Sequence, residues 1–514
     1  MAQKALRPVS LYLAPTLLTL LSGCVSVPEL PNPFANKPKA ESTAESTPNP
    51  VVEKAEIKQT QPILPAEIQA LVDKANAGDI SSMNELGDIY REGRNIAKDD
   101  KKAFEWYKKS ADVNNPYGIV WTAYNLEKGI GAPQNLSEST RLYEKCASIE
   151  SENKLYCQEN YGLALYEARG ITQNIALAID VLQAPAQSGK VRSQTTLANS
   201  YNSINDQTNA TKWFLVAAQQ GDLESQRYVG NRIRLGSGIK KDVKLGLEWI
   251  TKAANSGLIE AQTNLGHLYR NGEGKDIPKN LALALYWYME AAKQGDKNAQ
   301  LTIGYMYGTG EGVTRNYIEA VNWYRKAADQ GDATAQYNLG YYYDSGRGVA
   351  QNYQEAIKWY QKAADQAYAS AMLNLGYIYA NGNGVTKDYK KAYELYTKAA
   401  ETGEMTAINN VGSMFENGQH VQQSYTEAAR WYLRAAEAGN GRSMRNIAVM
   451  FEQGNGVPFS PSQALEWYQK GANAGDELAM ERLGKAYEFG QLGLKKDIKQ
   501  SNAWYKKAEQ ARNR

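Results

Sequence analysis

The chain has 514 residues, with 58 basic and 55 acidic side chains and a formal net charge of +3. That near-neutral balance gives no electrostatic case for nucleic-acid binding. Three cysteines and two histidines leave little material for a metal cluster or a histidine-centred catalytic site.

In chain order, Lys4 and Arg7 precede a mainly apolar run, Val9 to Leu21, interrupted by Pro15. Leu21-Ser22-Gly23-Cys24 follows. A positive start, an apolar core and small residues before a cleavage point describe a secretory signal. The run is too short to span a bilayer permanently. Leu-Ser-Gly-Cys resembles the bacterial lipoprotein box, which implies cleavage that leaves Cys24 as a lipid-modified first residue. Val25 and Ser26 follow, with no Asp beside the cysteine, and this resembles cargo passed to the outer membrane. From residue 24 to 65 the composition shifts to Pro, Ala, Ser, Thr, Glu and Lys, as expected of a disordered tether. A flexible coil of that length reaches about 35 Å.

From residue 66 to 514 one pattern recurs. In Asp332 to Ala367, Ala335, Leu339 and Tyr343 follow a helical spacing, Gly346 and Gly348 break it, and Ala356, Trp359, Tyr360, Ala363 and Ala364 resume it. This predicts an αα-hairpin, too small to bury its apolar face without a neighbour. A small anchor residue in each first helix counts the copies: Gly87, Ala123, Gly162, Ala198, Gly230, Gly266, Gly304, Gly340, Gly376, Gly412, Ala448 and Gly484. The last five intervals are all 36 residues. Nine of the ten tryptophans share one place in the second helix. The second, third and fourth copies are irregular, and the fourth carries a four-residue deletion between Ala198 and Trp213. Glycine in mid-helix costs about 1 kcal/mol against alanine, so its recurrence implies a packing need at the anchor.

The pattern resembles the Sel1-like repeat, a relative of the tetratricopeptide repeat. The matching residues are A-x-x-N-L-G at Ala335–Gly340, Tyr343, G-x-G-V at Gly346–Val349, and A-x-x-W-Y-x-K-A-A at Ala356–Ala364. The expected fold is all-α, a solenoid of about twelve hairpins behind a disordered N-terminal tether. The resemblance implies a scaffold or adaptor and leaves the partner open.

Candidate chemistry is sparse. His267 and His420 lie in different repeats, without ligand-spaced Cys or carboxylates. Gly308-Thr309-Gly310-Glu311-Gly312 lacks the strand and the Lys-Ser/Thr ending of a phosphate loop and reads as the hairpin turn. Glu355 and Glu427 fall on solvated helix faces. The per-repeat cysteine pairs of family members linked to β-lactams are absent. Cys146 and Cys157 take the places of Ala327 and Ala335, small positions that pack together, so an oxidising compartment predicts a disulfide between them.

Positions three before and one after each anchor share a helix face and vary widely between repeats. In helical-repeat arrays the first helices line the concave surface. Tyr305, Tyr337, Tyr341 and Tyr377 are therefore the candidate partner-binding residues, with packing between first helices as the alternative role. The expectation is a non-enzymatic scaffold without cofactor or metal, lipid-anchored in the outer membrane and facing the periplasm. It would bind a protein partner, or else peptidoglycan or exported polysaccharide. A related alternative, a polysaccharide-export assembly factor, resembles the lipidated repeat scaffold of alginate export.

Overall fold

A computed structural model describes residues 64–513. The signal segment, Cys24 and nearly all of the tether lie outside the described residues. Those described form two compact units, one ending at Ser256 and one beginning at Gly257. The N-terminal unit holds α1 (Ala66–Asn76), α2 (Ile80–Glu92), α3 (Asp100–Asp112), α4 (Pro116–Lys128), α5 (Leu136–Ala147), α6 (Lys154–Glu167), α7 (Ile175–Gln187), α8 (Val191–Ser203), α9 (Gln207–Gln219), α10 (Leu223–Leu235) and α11 (Val243–Asn255). The C-terminal unit holds α12 (Ile259–Asn271), α13 (Leu281–Lys293), α14 (Lys297–Thr309), α15 (Tyr317–Asp329), α16 (Ala333–Ser345), α17 (Tyr353–Asp365), α18 (Ala369–Asn381), α19 (Tyr389–Glu401), α20 (Met405–Asn417), α21 (Tyr425–Glu437), α22 (Gly441–Gln453), α23 (Pro461–Asn473), α24 (Glu477–Phe489) and α25 (Ile498–Arg512). From α2 onward these make twelve hairpins of a solenoid.

The α16–α17 hairpin shows how the sequence makes the unit. Asp332 caps α16, accepting from the Ala335 amide at 2.7 Å. Gly346 ends the helix at φ 68°, a left-handed conformation that glycine adopts without strain. Asn352 then caps α17 through the Glu355 amide at 3.1 Å. All twelve second helices carry such a side-chain cap, Asp, Asn or Ser. Each cap contributes about 1 kcal/mol.

The anchor glycine has a definite neighbour. A Cβ on Gly340 would lie 2.7 Å from Cδ1 of Tyr360, the residue after the repeat tryptophan. Gly87 faces Tyr107, Gly266 faces Tyr288, Gly304 faces Tyr324, Gly376 faces Tyr396 and Gly412 faces Tyr432 in the same way. The missing methyl thus seats an aromatic ring, which is why the tyrosine and the glycine recur together. Gly348 does a second job. A Cβ there would come within 2.4 Å of the Tyr317 carbonyl, at the start of the preceding second helix. The second glycine of the turn closes the seam between successive hairpins.

Two further devices link the repeats. Trp323 joins a core with Tyr288, Ala291 and Ala292 of the preceding hairpin. The lysine three residues on covers its outer face, Lys326 Nζ lying 3.7 Å from the ring centroid. Lys109, Lys362, Lys470 and Lys507 repeat this at 3.8, 3.9, 4.2 and 4.1 Å. That explains the Trp-Tyr-x-Lys signature as a cation–π pair one helical turn apart. Buried glutamines form the second link. Gln336 donates to the Ala328 carbonyl of the previous hairpin at 3.1 Å and accepts from Gln366 of its own at 2.9 Å. Gln300 does the same with Ala292 and Gln330.

Irregular repeats are compensated locally. The pattern predicted from residue 66 starts one helix later, because Ala66–Asn76 is a separate helix outside the twelve hairpins. It occupies the place of a second helix, burying Ile68 and Ala75. In the second repeat Trp121 stacks on Tyr107 at 5.4 Å, and the Arg91 guanidinium lies 4.4 Å from its ring. Where α6 lacks a side-chain cap, Cys146 and Cys157 are joined, their Cα atoms 5.7 Å apart and both side chains fully buried.

Candidate interaction surface

The expected stripe runs along the first helices of the C-terminal unit, and the structure divides it. In the middle of the unit the residues three before the anchor are core: Leu301, Tyr337 and Leu373 are 7%, 0% and 3% exposed. Each helix face meets its neighbouring hairpin there, which leaves no room for a partner. The Tyr337 ring lies between Tyr360 at 5.8 Å and Tyr368 at 5.2 Å. Tyr341, one residue after its anchor, is only 6% exposed, edge-on to Tyr342 at 6.0 Å and covered by the Arg347 guanidinium at 5.6 Å. Tyr337 and Tyr341 are therefore corrected from contact residues to packing residues. Tyr305 and Tyr377 are half-buried, each with part of its surface open.

Polar groups surround Tyr305. Arg270 sets its guanidinium 5.2 Å from the Tyr305 ring centroid. Glu311 holds Arg270 in place, with Nε and Nη2 donating to Oε2 at 3.1 and 2.6 Å. Lys279 Nζ lies 3.9 Å from the same carboxylate. His267 is exposed, yet its Nδ1 lies 2.9 Å from the Tyr288 hydroxyl. Partial burial, and then the charge of Arg270, push the imidazole pKa below its usual value, so the neutral ring is favoured. Arg347, exposed in the glycine turn, touches the Tyr317 and Tyr341 rings and makes no ion pair among the described residues. Arg270 and Arg347 did not stand out in the sequence. The signal that could have found Arg270 is the position four after the anchor, where Arg270, Asp344, Glu416, Glu452 and Glu488 are all polar; Arg347, seven after its anchor in the glycine turn, carries no such signal.

This arrangement suits recognition. It offers a flat aromatic edge and a fixed guanidinium on helices that the repeat core holds rigid. Among the described residues, no three His, Cys, Asp or Glu side chains gather as a metal site would require. His267 sits on α12, and His420 lies in the turn after α20 beside Tyr393 at 5.6 Å. Glu355 and Glu427 pair with Lys358 and Arg430 on the surface, at 2.6 and 2.9 Å. No helix among the described residues is long and apolar enough to cross a membrane.

Known proteins share this architecture. The Sel1 repeat family model matches residues 80–115, 116–148, 155–180, 202–222, 223–258, 259–296, 298–332, 333–368, 369–403, 406–440, 441–476 and 478–513. The chain belongs to the Sel1 repeat family. A protective antigen present in uropathogenic Escherichia coli strains, displaying an SLR fold, is 28% identical in its crystal structure. The match covers 86% of this chain and 96% of that one, with a TM-score of 0.57. The chitin synthase regulator SKT5 of Saccharomyces cerevisiae is 29% identical over 39% of this chain and 31% of its own length. An uncharacterized protein of Neisseria meningitidis serogroup B is 29% identical over 34% of this chain and 36% of its own. The chain spans about a third of the length of these two curated relatives. Sel1 repeats generally mediate protein–protein interaction.

Proposed function

We propose that this Sel1 repeat protein is a non-enzymatic scaffold, held in the cell envelope by lipid on Cys24, that grips a protein partner along the first helices of its C-terminal unit. The observation that carries the reading is the open edge of Tyr305 and Tyr377 with Arg270 locked beside it by Glu311. Tyrosine and arginine are the side chains that dominate binding energy at protein interfaces. The envelope placement rests on Leu21–Cys24 and is supported by the joined Cys146 and Cys157, a bond typical of oxidising compartments. The residues after Cys24 favour the outer membrane and a periplasmic face.

The test is affinity capture from envelope extracts with the wild-type chain, with Tyr305→Ala plus Tyr377→Ala, and with Arg270→Ala. Wild type should retain a defined protein, and both variants should lose it by tenfold or more. Equal recovery by all three would reject this surface. A second reading has one observation of its own: the yeast relative is named as a regulator of chitin synthase, an enzyme that makes a glycan. It favours a scaffold in polysaccharide synthesis or export, or direct contact with peptidoglycan. Retention of purified peptidoglycan by wild type but not by the tyrosine variant would favour the glycan reading.

A further inference from the structure

The four-residue deletion of the fourth repeat lies in the turn between α8 and α9. Where Gly346 to Asn352 connect α16 to α17, only Ile204, Asn205 and Asp206 connect these helices. The shortened turn covers less of the rim that the glycine turns form. Ile204 stands there 54% exposed, with Leu235, Ile239 and Leu245 of the next repeat at 56%, 36% and 40%. The two turns are neighbours. Arg232 bridges them, donating to Asn202 and Gln207 at 2.6 Å each, and Thr211 donates to the Ser237 carbonyl at 2.9 Å. Leu177, 37% exposed, holds in α7 the position that Leu245 holds in α11.

Charge accompanies this apolar strip. Lys240, Lys241 and Lys244 follow Ile239 directly, all exposed, and none forms an ion pair among the described residues. The nearby carboxylates are occupied: Asp242 caps α11 through the Leu245 amide at 3.0 Å, and Asp206 caps α9 through Asn209 at 3.0 Å. The composition separates two kinds of partner. Protein interfaces are depleted in lysine, and leucine is poor among their hot spots. Aliphatic side chains beside unpaired lysines suit a bilayer, where the former enter the acyl boundary and the latter meet phosphate.

We infer that the rim formed by Ile204, Leu235, Ile239 and Leu245 with Lys240, Lys241 and Lys244 docks on an anionic phospholipid surface. Docking there lays the N-terminal unit against the membrane, while the tyrosine–arginine surface belongs to the other unit. The inference does not need the acyl group on Cys24.

The test uses the full chain with Cys24→Ser, so that no lipid is attached. Ile239→Cys, labelled with a polarity-sensitive fluorophore, reports on the rim itself, and Lys358→Cys on α17 serves as the control label. The Ile239 label should shift to the blue with phosphatidylethanolamine–phosphatidylglycerol vesicles but not with phosphatidylcholine, and added salt should reverse the shift. The Lys358 label should not respond. Replacing Lys240, Lys241 and Lys244 by Gln should weaken the response roughly five-fold per lysine, on the order of a hundred-fold together. These lysines are exposed, so an unchanged circular dichroism melt should verify the fold. An Ile239 label that ignores anionic vesicles, or responds equally to both lipids, overturns the inference. So does the same label responding to a captured envelope protein in place of vesicles. The glutamine variant should still retain the partner captured through Tyr305, so the two readings fail independently.

Discussion

Gly340→Ala tests the packing rule most directly. The new Cβ would lie 2.7 Å from Tyr360 Cδ1 and 2.9 Å from Cε1, against 3.4–4 Å for an ordinary contact. The ring must therefore retreat by about 0.7 Å, the difference between 3.4 and 2.7. It has little room: Tyr360 is fully buried, Tyr337 packs on it, and Asn374 Nδ2 donates to its hydroxyl at 3.1 Å. Overpacking of this kind costs about 1–3 kcal/mol. Helix propensity returns about 1 kcal/mol, so the expected net loss is about 1 kcal/mol. Ala448 opposite the buried Tyr468 shows that a methyl is accommodated where the hairpin is built around it, which keeps the estimate at the lower end. Thermal and urea denaturation would measure the loss, and hydrogen exchange over 333–368 would place it. In a Tyr360→Ala background the same substitution should become stabilising by about 1 kcal/mol, because only propensity remains. If Gly340→Ala stabilises the wild-type chain to that extent, the ring does not need the space and the rule is wrong.

Further outcomes follow from the same geometry. Reducing the Cys146–Cys157 bond, or replacing both residues by Ala, should cost about 2–3 kcal/mol, given the separation of eleven residues, with exchange rising first in α5 and α6. Burial raises the Glu452 pKa, but hydrogen bonds from Arg482 and Tyr468 outweigh it and hold the carboxyl below its usual value. A depressed carboxylate stabilises the fold above its unfolded pKa and loses that contribution as pH falls through the folded value. Arg482→Met should therefore lower stability at neutral pH by about 1 kcal/mol and flatten the acid limb of the Tm–pH curve. His267 has the corresponding sign for a base. With its folded pKa below its unfolded one, stability is full above the usual histidine value and falls as pH drops through the two. The step is small because the residue is open to solvent on one side, and His267→Gln should abolish it in melts between pH 5 and 8.

Much of the fold could be read from the chain because its repeats are an alignment of the sequence with itself. Eleven of the twelve anchors fall within matched segments, Ala198 of the shortened fourth repeat being the exception, since one small residue per first helix is demanded by one large side chain of the second, a tyrosine ring in most repeats and Leu182 or Ile250 opposite Gly162 and Gly230. The candidate surface was harder to read. Tyr337 and Tyr341 differ from their counterparts in other repeats, and such variation looks like an exposed binding face. Here it reflects a gap between hairpins that Leu301, Tyr337 and Leu373 each fill differently. Periodicity assigns a residue to a helix face but does not show how near the next hairpin comes. Arg270 was missed for a similar reason: its importance comes from Glu311, 41 residues away in another hairpin. The glutamine links were legible in principle, because Ala-Gln recurs at Gln262, Gln300 and Gln336, but each amide needs two partners that only the packed array supplies.

Those glutamines bear on how such a chain can change length. Gln300 and Gln336 each reach backward to a carbonyl of the hairpin before and accept from a glutamine at the end of their own. Cutting out one full period between equivalent positions rejoins donor to acceptor with nothing left over, and copying one period does the same. Any other cut strands an amide in the dry interior, at a cost of about 1–3 kcal/mol for each unsatisfied group. Growth and shrinkage by whole modules are thus built into the hydrogen bonding of the array.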